Sequence, residues 1–320
     1  MRRVLVLGGT AWLGSEIASL LVAAGDQVTC LARGRSGAAP DGARLVRADR
    51  ERQGAYDTLD GDWDEVIELA YAPDIVASAV AALSHRATHW TLISTVSVYA
   101  DNNQPDADES AAVVEPEDLA DYGQAKVAAE RTTAAALGER LLIIRPGLIA
   151  GPGDPSDRFG YWPMRLARGG DVLAPVAEQR RVQVIDVADL AAFAVHGGGQ
   201  RLSAVVNAVG PSVAMAEFFA QAEAVAAFSG RRVEADDDWL LAHDVRYWMG
   251  PRSLPLWLPA TAVGFAQRSN AAYRAAGGTF RPMTETIERA LAHERTLGLH
   301  RRRRSGLTAD EEAELLSARG

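Results

Sequence analysis

Residues 4–15 read Val-Leu-Val-Leu-Gly-Gly-Thr-Ala-Trp-Leu-Gly-Ser and precede a helix-like stretch at 16–24. The order of apolar strand, glycine-rich turn and helix is typical of a phosphate-binding turn. Free backbone N–H groups and the positive end of the helix dipole meet there at one anion. The stretch therefore predicts that the chain binds a dinucleotide.

Three glycines give this turn its predicted geometry. At Gly8 and Gly9 a Cβ would obstruct either a positive φ or the approach of a pyrophosphate, and Gly14 is expected to let the helix pack close to the sheet. Ala11 stands where such turns usually have their middle glycine, so the turn departs from the motif by one methyl group. The residues expected to contact the cofactor here are Gly8, Gly9, Thr10, Ala11, Trp12, Leu13 and Gly14.

The end of the next predicted strand, 28–32, bears on which cofactor is bound. Arg33 and Arg35 follow it, about twenty residues beyond the turn. An acidic residue there would bond the ribose hydroxyls of NAD(H), whereas the planar fork of an arginine suits a 2′-phosphate. We therefore favour NADP(H). NAD(H) is the alternative, in which the two arginines are a solvated pair on a surface loop.

The composition is that of an ordinary globular protein. The chain has 320 residues, 48% hydrophobic and 23% charged, which is enough for a large core and a second, smaller lobe. A net charge of -9 argues against a nucleic-acid partner, because phosphate binding needs a concentrated positive field. No apolar run approaches the roughly twenty residues of a membrane span, and the histidines are too scattered for a metal site. The single cysteine, Cys30, predicts a reducing, cytoplasmic setting.

Strand-like and helix-like runs alternate through the first half of the chain. The strand-like runs are mostly continuous and apolar, as expected of parallel strands covered by helices on both faces. They lie at 4–7, 28–32, 44–48, 65–70, 90–95 and 141–145, and the helix-like runs lie at 15–24, 74–83 and 119–137. We predict a doubly wound parallel α/β sheet of the Rossmann type.

Prolines and glycines interrupt the pattern after Arg145. We expect residues 1–145 and 181–210 to form the dinucleotide-binding domain. Residues 146–180 and 211–300 would then form a smaller C-terminal substrate-binding lobe. Residues 301–320 open with four arginines that acidic residues follow, and we interpret them as a solvated C-terminal tail.

Tyr122 and Lys126 stand near the start of the long predicted helix. A spacing of four residues turns a helix by about 400°, so the two side chains project from nearly the same face. An adjacent ammonium favours the phenolate of a tyrosine, whose pKa is otherwise about 10. Tyr122 could thereby exchange a proton with a substrate oxygen, while Lys126 would hold the nicotinamide ribose hydroxyls.

Three hydroxyl side chains, Ser94, Thr95 and Ser97, follow the fifth predicted strand. Ligands of open α/β sheets bind beyond the carboxyl ends of the strands, so a hydroxyl there can donate to a substrate oxygen. We assign this role to Thr95. The alternative is that all three hydroxyls satisfy backbone groups at the strand end.

Together these motifs resemble the extended short-chain dehydrogenase/reductase family, also called the NAD-dependent epimerase/dehydratase family. The similarity covers roughly residues 1–210 and rests on the glycine-rich turn, Ser94-Thr95-x-x-Val98-Tyr99, Tyr122-x-x-x-Lys126 and Arg145-Pro146-Gly147. The resemblance implies that Thr95, Tyr122 and Lys126 are the catalytic set. It also implies that Asp49 meets the adenine and that Ala70, Tyr71 and Pro146 line the cofactor. A homodimer formed through the helix that carries Tyr122 and its neighbour is a further implication.

Two departures from the family pattern reduce the number of activities that we expect for this chain. Val96 and Ser97 stand where the nucleotide-sugar 4,6-dehydratases have an acidic pair, so the acid and base that remove water are missing. Arg33 stands where epimerases have an acidic residue. We expect an NADP(H)-dependent reductase that transfers a hydride to a carbonyl of a small molecule, with Tyr122 as proton donor. The alternatives are an NAD-dependent sugar epimerase and a non-catalytic NADP(H)-binding regulatory protein.

The sequence does not identify the substrate, because specificity lies in loops for which one sequence offers no comparison. Five side chains of the smaller lobe are candidates for contacting it, although aromatic residues more often belong to a core. These are Phe159, Tyr161, Trp162, Arg181 and Trp239.

Overall fold

The structure is a computed structural model that describes residues 1–319. In chain order its first half contains β1 (Arg3–Leu7), α1 (Trp12–Ala23), β2 (Gln27–Ala32), β3 (Arg44–Arg47), β4 (Trp63–Glu68), α2 (Pro73–Leu83), β5 (Ala87–Ile93), α3 (Tyr122–Leu137), β6 (Leu141–Pro146) and β7 (Leu148–Ala150). The second half contains α4 (Tyr161–Ala167), β8 (Gly170–Pro175), β9 (Arg181–Asp186), α5 (Val187–Gly199), β10 (Ala204–Ala208), β11 (Ser212–Ala214), α6 (Met215–Ala226), β12 (Gly230–Ala235), α7 (Asp237–Ala242), β13 (Arg246–Trp248), β14 (Ser253–Pro255), α8 (Ala271–Ala275), α9 (Met283–Leu297) and α10 (Ala309–Arg319).

The central sheet has seven strands in the order β10-β6-β5-β4-β1-β2-β3, and every neighbouring pair is parallel. The chain runs outward from β1 to β3 and then returns to add β4 on the other side of β1. At such a reversal of strand order, ligands bind beyond the carboxyl ends of the strands. The predicted Rossmann-type sheet is confirmed.

Helices cover both faces of the sheet. Val4 and Val6 of β1 point into one core with Ile17 of α1, which packs beside α5. Leu5 and Leu7 point into the opposite core, which α2 and α3 cover. Because successive side chains of a strand face opposite sides, both sets must be apolar, which explains the unbroken apolar run at 4–7.

The start of one helix and the set of strands in the central sheet differ from those predicted. Helix α3 begins at Tyr122 instead of residue 119, because the carboxylate of Asp121 accepts the Gln124 N–H at 2.9 Å and caps the helix. Strand β9 lies in a separate three-stranded sheet with β7 and β11. The seventh strand of the central sheet, β10, is an addition that the sequence pattern did not predict.

The C-terminal residues 301–319 are not the solvated tail that we predicted. Arg301 and Arg303 form ion pairs with the buried carboxylates of Asp157 and Glu294. Leu315 of α10 belongs to the core of the smaller lobe. Asp157 lies far from these arginines in the sequence, so the local charge pattern could not reveal the pairing. None of the helices in residues 1–319 is long and apolar enough to cross a membrane.

The close approach of α1 to the first turn gives a test of the fold. A Cβ at Gly14 would lie 2.4 Å from the carbonyl oxygen of Gly8, so we expect Gly14→Ala to destabilise the protein by about 1–3 kcal/mol in urea unfolding. Gly199→Ala is the control, because its Cβ would meet only the Arg2 guanidinium at 3.5 Å at the end of α5. Equal stability of Gly14→Ala and the unmodified protein would contradict this packing.

Candidate active site

A cavity of about 710 Å³, here called the Tyr122 cavity, lies beyond the carboxyl ends of the central strands. The first turn contributes Ala11, Trp12, Leu13 and Gly14 to its wall, and the segment after β5 contributes Thr95. Tyr122 and Lys126 of α3 line it as well, and so does Pro146 at the end of β6. The tertiary structure thus brings together the three residues of the predicted catalytic set.

The first turn has free backbone N–H groups that can bind an anion. Gly8 has a φ of 102°, and no side chain caps the start of α1, so the first N–H groups of the helix are left for a ligand. Gly9 has no positive φ, and a Cβ there would lie 2.5 Å from Sγ of Cys30, so its packing against β2 also needs glycine; its contact with a pyrophosphate stays a prediction. The indole of Trp12 donates to the carbonyl of Pro152 at 2.7 Å and ties the turn to the loop after β7.

A second space of about 210 Å³, the Arg33 hollow, adjoins the same turn beyond β2. The predicted cofactor residues that line it are Gly8, Thr10, Ala11, Arg33, Arg35, Asp49 and Ala70. Arg33 is half exposed and lies 3.9 Å from Glu51. Arg50, which the sequence reading did not single out, also lines the hollow, but its guanidinium is paired with the buried Glu68. Arg33 and Arg35 are therefore the arginines of this hollow that can turn toward a ligand.

The start of α3 is held unusually close to the segment after β5. A Cβ at Gly123 would lie 2.4 Å from the carbonyl oxygen of Ser97, so this contact needs glycine and places Tyr122 beside Thr95. Loss of water around the phenol raises the pKa of Tyr122, while hydrogen bonding to Thr95 and the charge of Arg158 oppose that rise. These surroundings favour the neutral phenol, although 47% of Tyr122 is exposed. Tyr71 lies next to it, with the two ring centroids 6.0 Å apart.

Lys126 is buried below Tyr122. Its Nζ donates to the carbonyl oxygens of Ile93 at 2.6 Å and of Ala70 at 2.9 Å. Burial lowers the pKa of Lys126 to about 8, and the carboxylates of Glu68 and Glu130 oppose the shift. The ammonium is still mostly charged at pH 7, and one of its three N–H donors remains for a ligand.

The hydroxyls after β5 have distinct surroundings. Ser94 is buried and donates to the carboxylate of Glu130 at 2.5 Å, so its contact is structural. Thr95 accepts the backbone N–H of Ser97 at 3.1 Å and also lines the Tyr122 cavity. Thr95 therefore satisfies a local backbone group, as in the alternative, and its predicted contact with a substrate oxygen stays a prediction.

The far wall of the cavity comes from residues that the sequence reading missed. They are Arg158 together with Trp248, Met249 and Phe265 from the smaller lobe. Three proposed contacts, Phe159, Tyr161 and Trp162, are fully buried in the core of that lobe instead. Arg181 bonds to Ser212, and Trp239 stacks on His243. Aromatic composition alone could not separate the two sets, because loops distant in sequence form the cavity wall.

A buried ion pair fixes the frame of this site. Arg145 of β6 donates to Glu130 of α3 at 2.9 and 2.7 Å and to the hydroxyl of Tyr99 at 3.0 Å. Since removing one partner leaves a buried charge uncompensated, we expect Glu130→Gln to lower the free energy of unfolding by about 3–5 kcal/mol.

Two further variants complete this test. Glu130→Gln combined with Arg145→Met should recover part of the lost stability, because no charge is then left unpaired. Glu115→Gln is the control, because it removes an exposed ion pair with Arg131 of the same helix and should change stability little. Chemical denaturation gives the free energy of unfolding of the unmodified protein and of the three variants. A Glu130→Gln variant as stable as the control would disprove the role of the buried pair.

Comparison with protein families matches residues 78–198 to the model of the NAD dependent epimerase/dehydratase family. The matched segment contains Thr95, Tyr122 and Lys126. The match confirms the family resemblance predicted from the sequence. A comparison with curated proteins found no match.

Several solved structures share the fold over nearly their whole length. A candidate epimerase from Burkholderia cenocepacia J2315 is 22% identical, with a TM-score of 0.71 over 92% of this chain and 98% of that one. The UDP-glucuronic acid 4-epimerase of Bacillus cereus, solved with NAD, is 13% identical, with a TM-score of 0.68 over 92% and 99%. The UDP-glucose 4-epimerase of Thermotoga maritima, solved with UDP-glucose, is 14% identical, with a TM-score of 0.67 over 92% and 99%.

Proposed function

We propose that the chain is an NADP(H)-dependent reductase of the extended short-chain dehydrogenase/reductase type, acting on a carbonyl of a small molecule. The observation that carries the proposal is the convergence of Thr95, Tyr122 and Lys126 on the cavity that the first turn also lines. The family match and the relatives solved with NAD support a nicotinamide cofactor.

The residues present fit a dinucleotide. The uncapped start of α1 would hold the phosphates, and Arg33 and Arg35 would hold a 2′-phosphate in the Arg33 hollow. Asp49 in the same hollow would meet the adenine, and Lys126 would meet the nicotinamide ribose. A bound nicotinamide supplies or accepts the hydride.

The chain's own residues would transfer the proton to the substrate oxygen. Thr95 and Tyr122 would hold the substrate oxygen between two hydroxyls, as placed donors do at a site where charge develops. Tyr122 keeps its proton at neutral pH, as a phenol with a pKa of about 10 does, so it can give that proton to the oxygen during reduction. The charge of Arg158 would then stabilise the remaining phenolate.

Replacing Tyr122 tests the proton donor. We expect Tyr122→Phe to lower the turnover of NADPH with a carbonyl substrate by at least about 100-fold, since the ring stays but its proton is lost. NADPH binding, measured by fluorescence titration, should be nearly unchanged. Tyr247→Phe is the matched control, because the Tyr247 hydroxyl bonds to Asp237 and this phenol lines neither the Tyr122 cavity nor the Arg33 hollow. Full turnover in Tyr122→Phe would remove the proposed acid.

Replacing Arg33 tests the choice of cofactor. The unmodified protein should bind NADPH more tightly than NADH, and Arg33→Ala should reduce this preference about tenfold or more by removing a charge-assisted bond to the 2′-phosphate. Arg231→Ala is the control, because Arg231 is exposed, pairs with Asp171 and does not line the Arg33 hollow. Isothermal titration calorimetry measures both affinities, and tighter binding of NADH by the unmodified protein would refute NADP(H).

A sugar epimerase is the second candidate, since the family match and the similar folds of UDP-sugar 4-epimerases favour it equally. It would use Thr95, Tyr122 and Lys126 for oxidation and then for reduction from the other face. NAD retained through purification, with no net use of cofactor during turnover, would identify this activity. A non-catalytic regulatory protein would not need Tyr122 and Lys126 at one cavity.

We further propose that the protein is cytoplasmic and forms a homodimer through α3 and its neighbouring helix. Light scattering of the purified protein measures its molar mass and thereby its number of subunits.

A further inference from the structure

Arg158 lies on the loop between β7 and α4 and lines the Tyr122 cavity. Its Nε donates to the hydroxyl of Ser156 at 2.9 Å, and its guanidinium carbon lies 5.0 Å from the ring centroid of Trp248. One hydrogen bond and one cation–π contact thus hold the planar group in place. Its position therefore depends on the protein and not on a ligand.

The guanidinium of Arg158 forms no ion pair in the described part of the chain. Among residues 1–319, no carboxylate oxygen lies within 4.0 Å of its guanidinium, and neither terminal nitrogen donates a hydrogen bond. Asp154 is on the same wall; its Oδ1 accepts the N–H and the hydroxyl of Ser156 at 2.8 and 2.7 Å, and its Oδ2 is buried without a hydrogen-bond partner. Burial lowers the pKa of Arg158, against the opposing effects of Asp154 and Tyr122. A partly buried cation of this kind is stabilised by a bound anion.

The surroundings of Arg158 are largely apolar. Leu148, Trp248, Met249 and Phe265 line the same cavity. A ligand that reaches the guanidinium would place an apolar body against these side chains and an anionic group at the arginine. Arg158 and Tyr122 line the same cavity, so this anion would share that space with the reacting oxygen.

We propose that Arg158 determines substrate specificity by binding a carboxylate, and that the substrates are apolar oxo acids. The two terminal nitrogens form a planar fork that matches the two oxygens of a carboxylate. This proposal rests on the proposed function, because it assigns the substrate class of the same site. It goes further in naming a residue outside the predicted catalytic set.

The test compares benzoate with benzamide, two probes of nearly equal shape of which only benzoate is charged. Both are titrated by calorimetry into the full-length protein saturated with NADP⁺. We expect benzoate to bind at least about tenfold more tightly than benzamide, as a charge-assisted bidentate contact would produce. Arg158→Met, which keeps an apolar stem against Trp248, should abolish that preference, and Arg158→Lys should keep part of it.

Control variants separate this proposal from the proposed function. Tyr122→Phe should keep the benzoate preference, because it removes the proton donor but not the arginine. Arg231→Leu, which removes an exposed arginine paired with Asp171, should also keep it. If benzoate binds no better than benzamide, or if the preference survives in Arg158→Met, the proposal is overturned even if NADPH-dependent reduction is observed. Binding of phenyl phosphate without benzoate would likewise overturn a carboxylate site.

Discussion

The buried ion pair between Glu130 and Arg145 is the contact on which the candidate site depends. The pair joins β6 to α3, the helix that carries Tyr122 and Lys126. The carboxylate of Glu130 also accepts a hydrogen bond from the hydroxyl of Ser94, which precedes Thr95. Three elements that are distant in sequence are thereby held in one arrangement. Burying two charges is costly in itself, so such a pair contributes more to a defined geometry than to net stability.

Lys126 makes a second connection at the same place. Its ammonium bonds to carbonyl oxygens after β4 and at the end of β5, so it joins the ends of two central strands while keeping one donor for a ligand. The lowered pKa of this amine is the consequence of burying it. One side chain therefore combines a structural role with the role we propose in cofactor binding, and Gly123 completes the arrangement by letting α3 approach Ser97.

The smaller lobe shows why the far wall of the cavity was hard to predict. Its core takes most of the aromatic side chains, including Trp162 and Phe218, which are fully buried. The side chains that reach the cavity, such as Trp248, come from short strands and loops with no distinctive local pattern. The prediction of a solvated tail for residues 301–320 was wrong for a similar reason. Asp157, the partner of Arg301 and Arg303, precedes them by more than a hundred residues.

The amino-acid pattern alone was sufficient for six of the seven strands of the parallel sheet, for the first turn and for the placement of Tyr122 and Lys126 on one helix face. Hydrophobic periodicity, glycine placement and helical spacing act within a few residues. Contacts between distant segments required the folded chain. The approach of α3 to Ser97, the burial of residues 301–319 and the unpaired charge of Arg158 in an apolar cavity all arise from long-range packing. Packing of this kind depends on which surfaces meet in three dimensions, and a local pattern does not record that information.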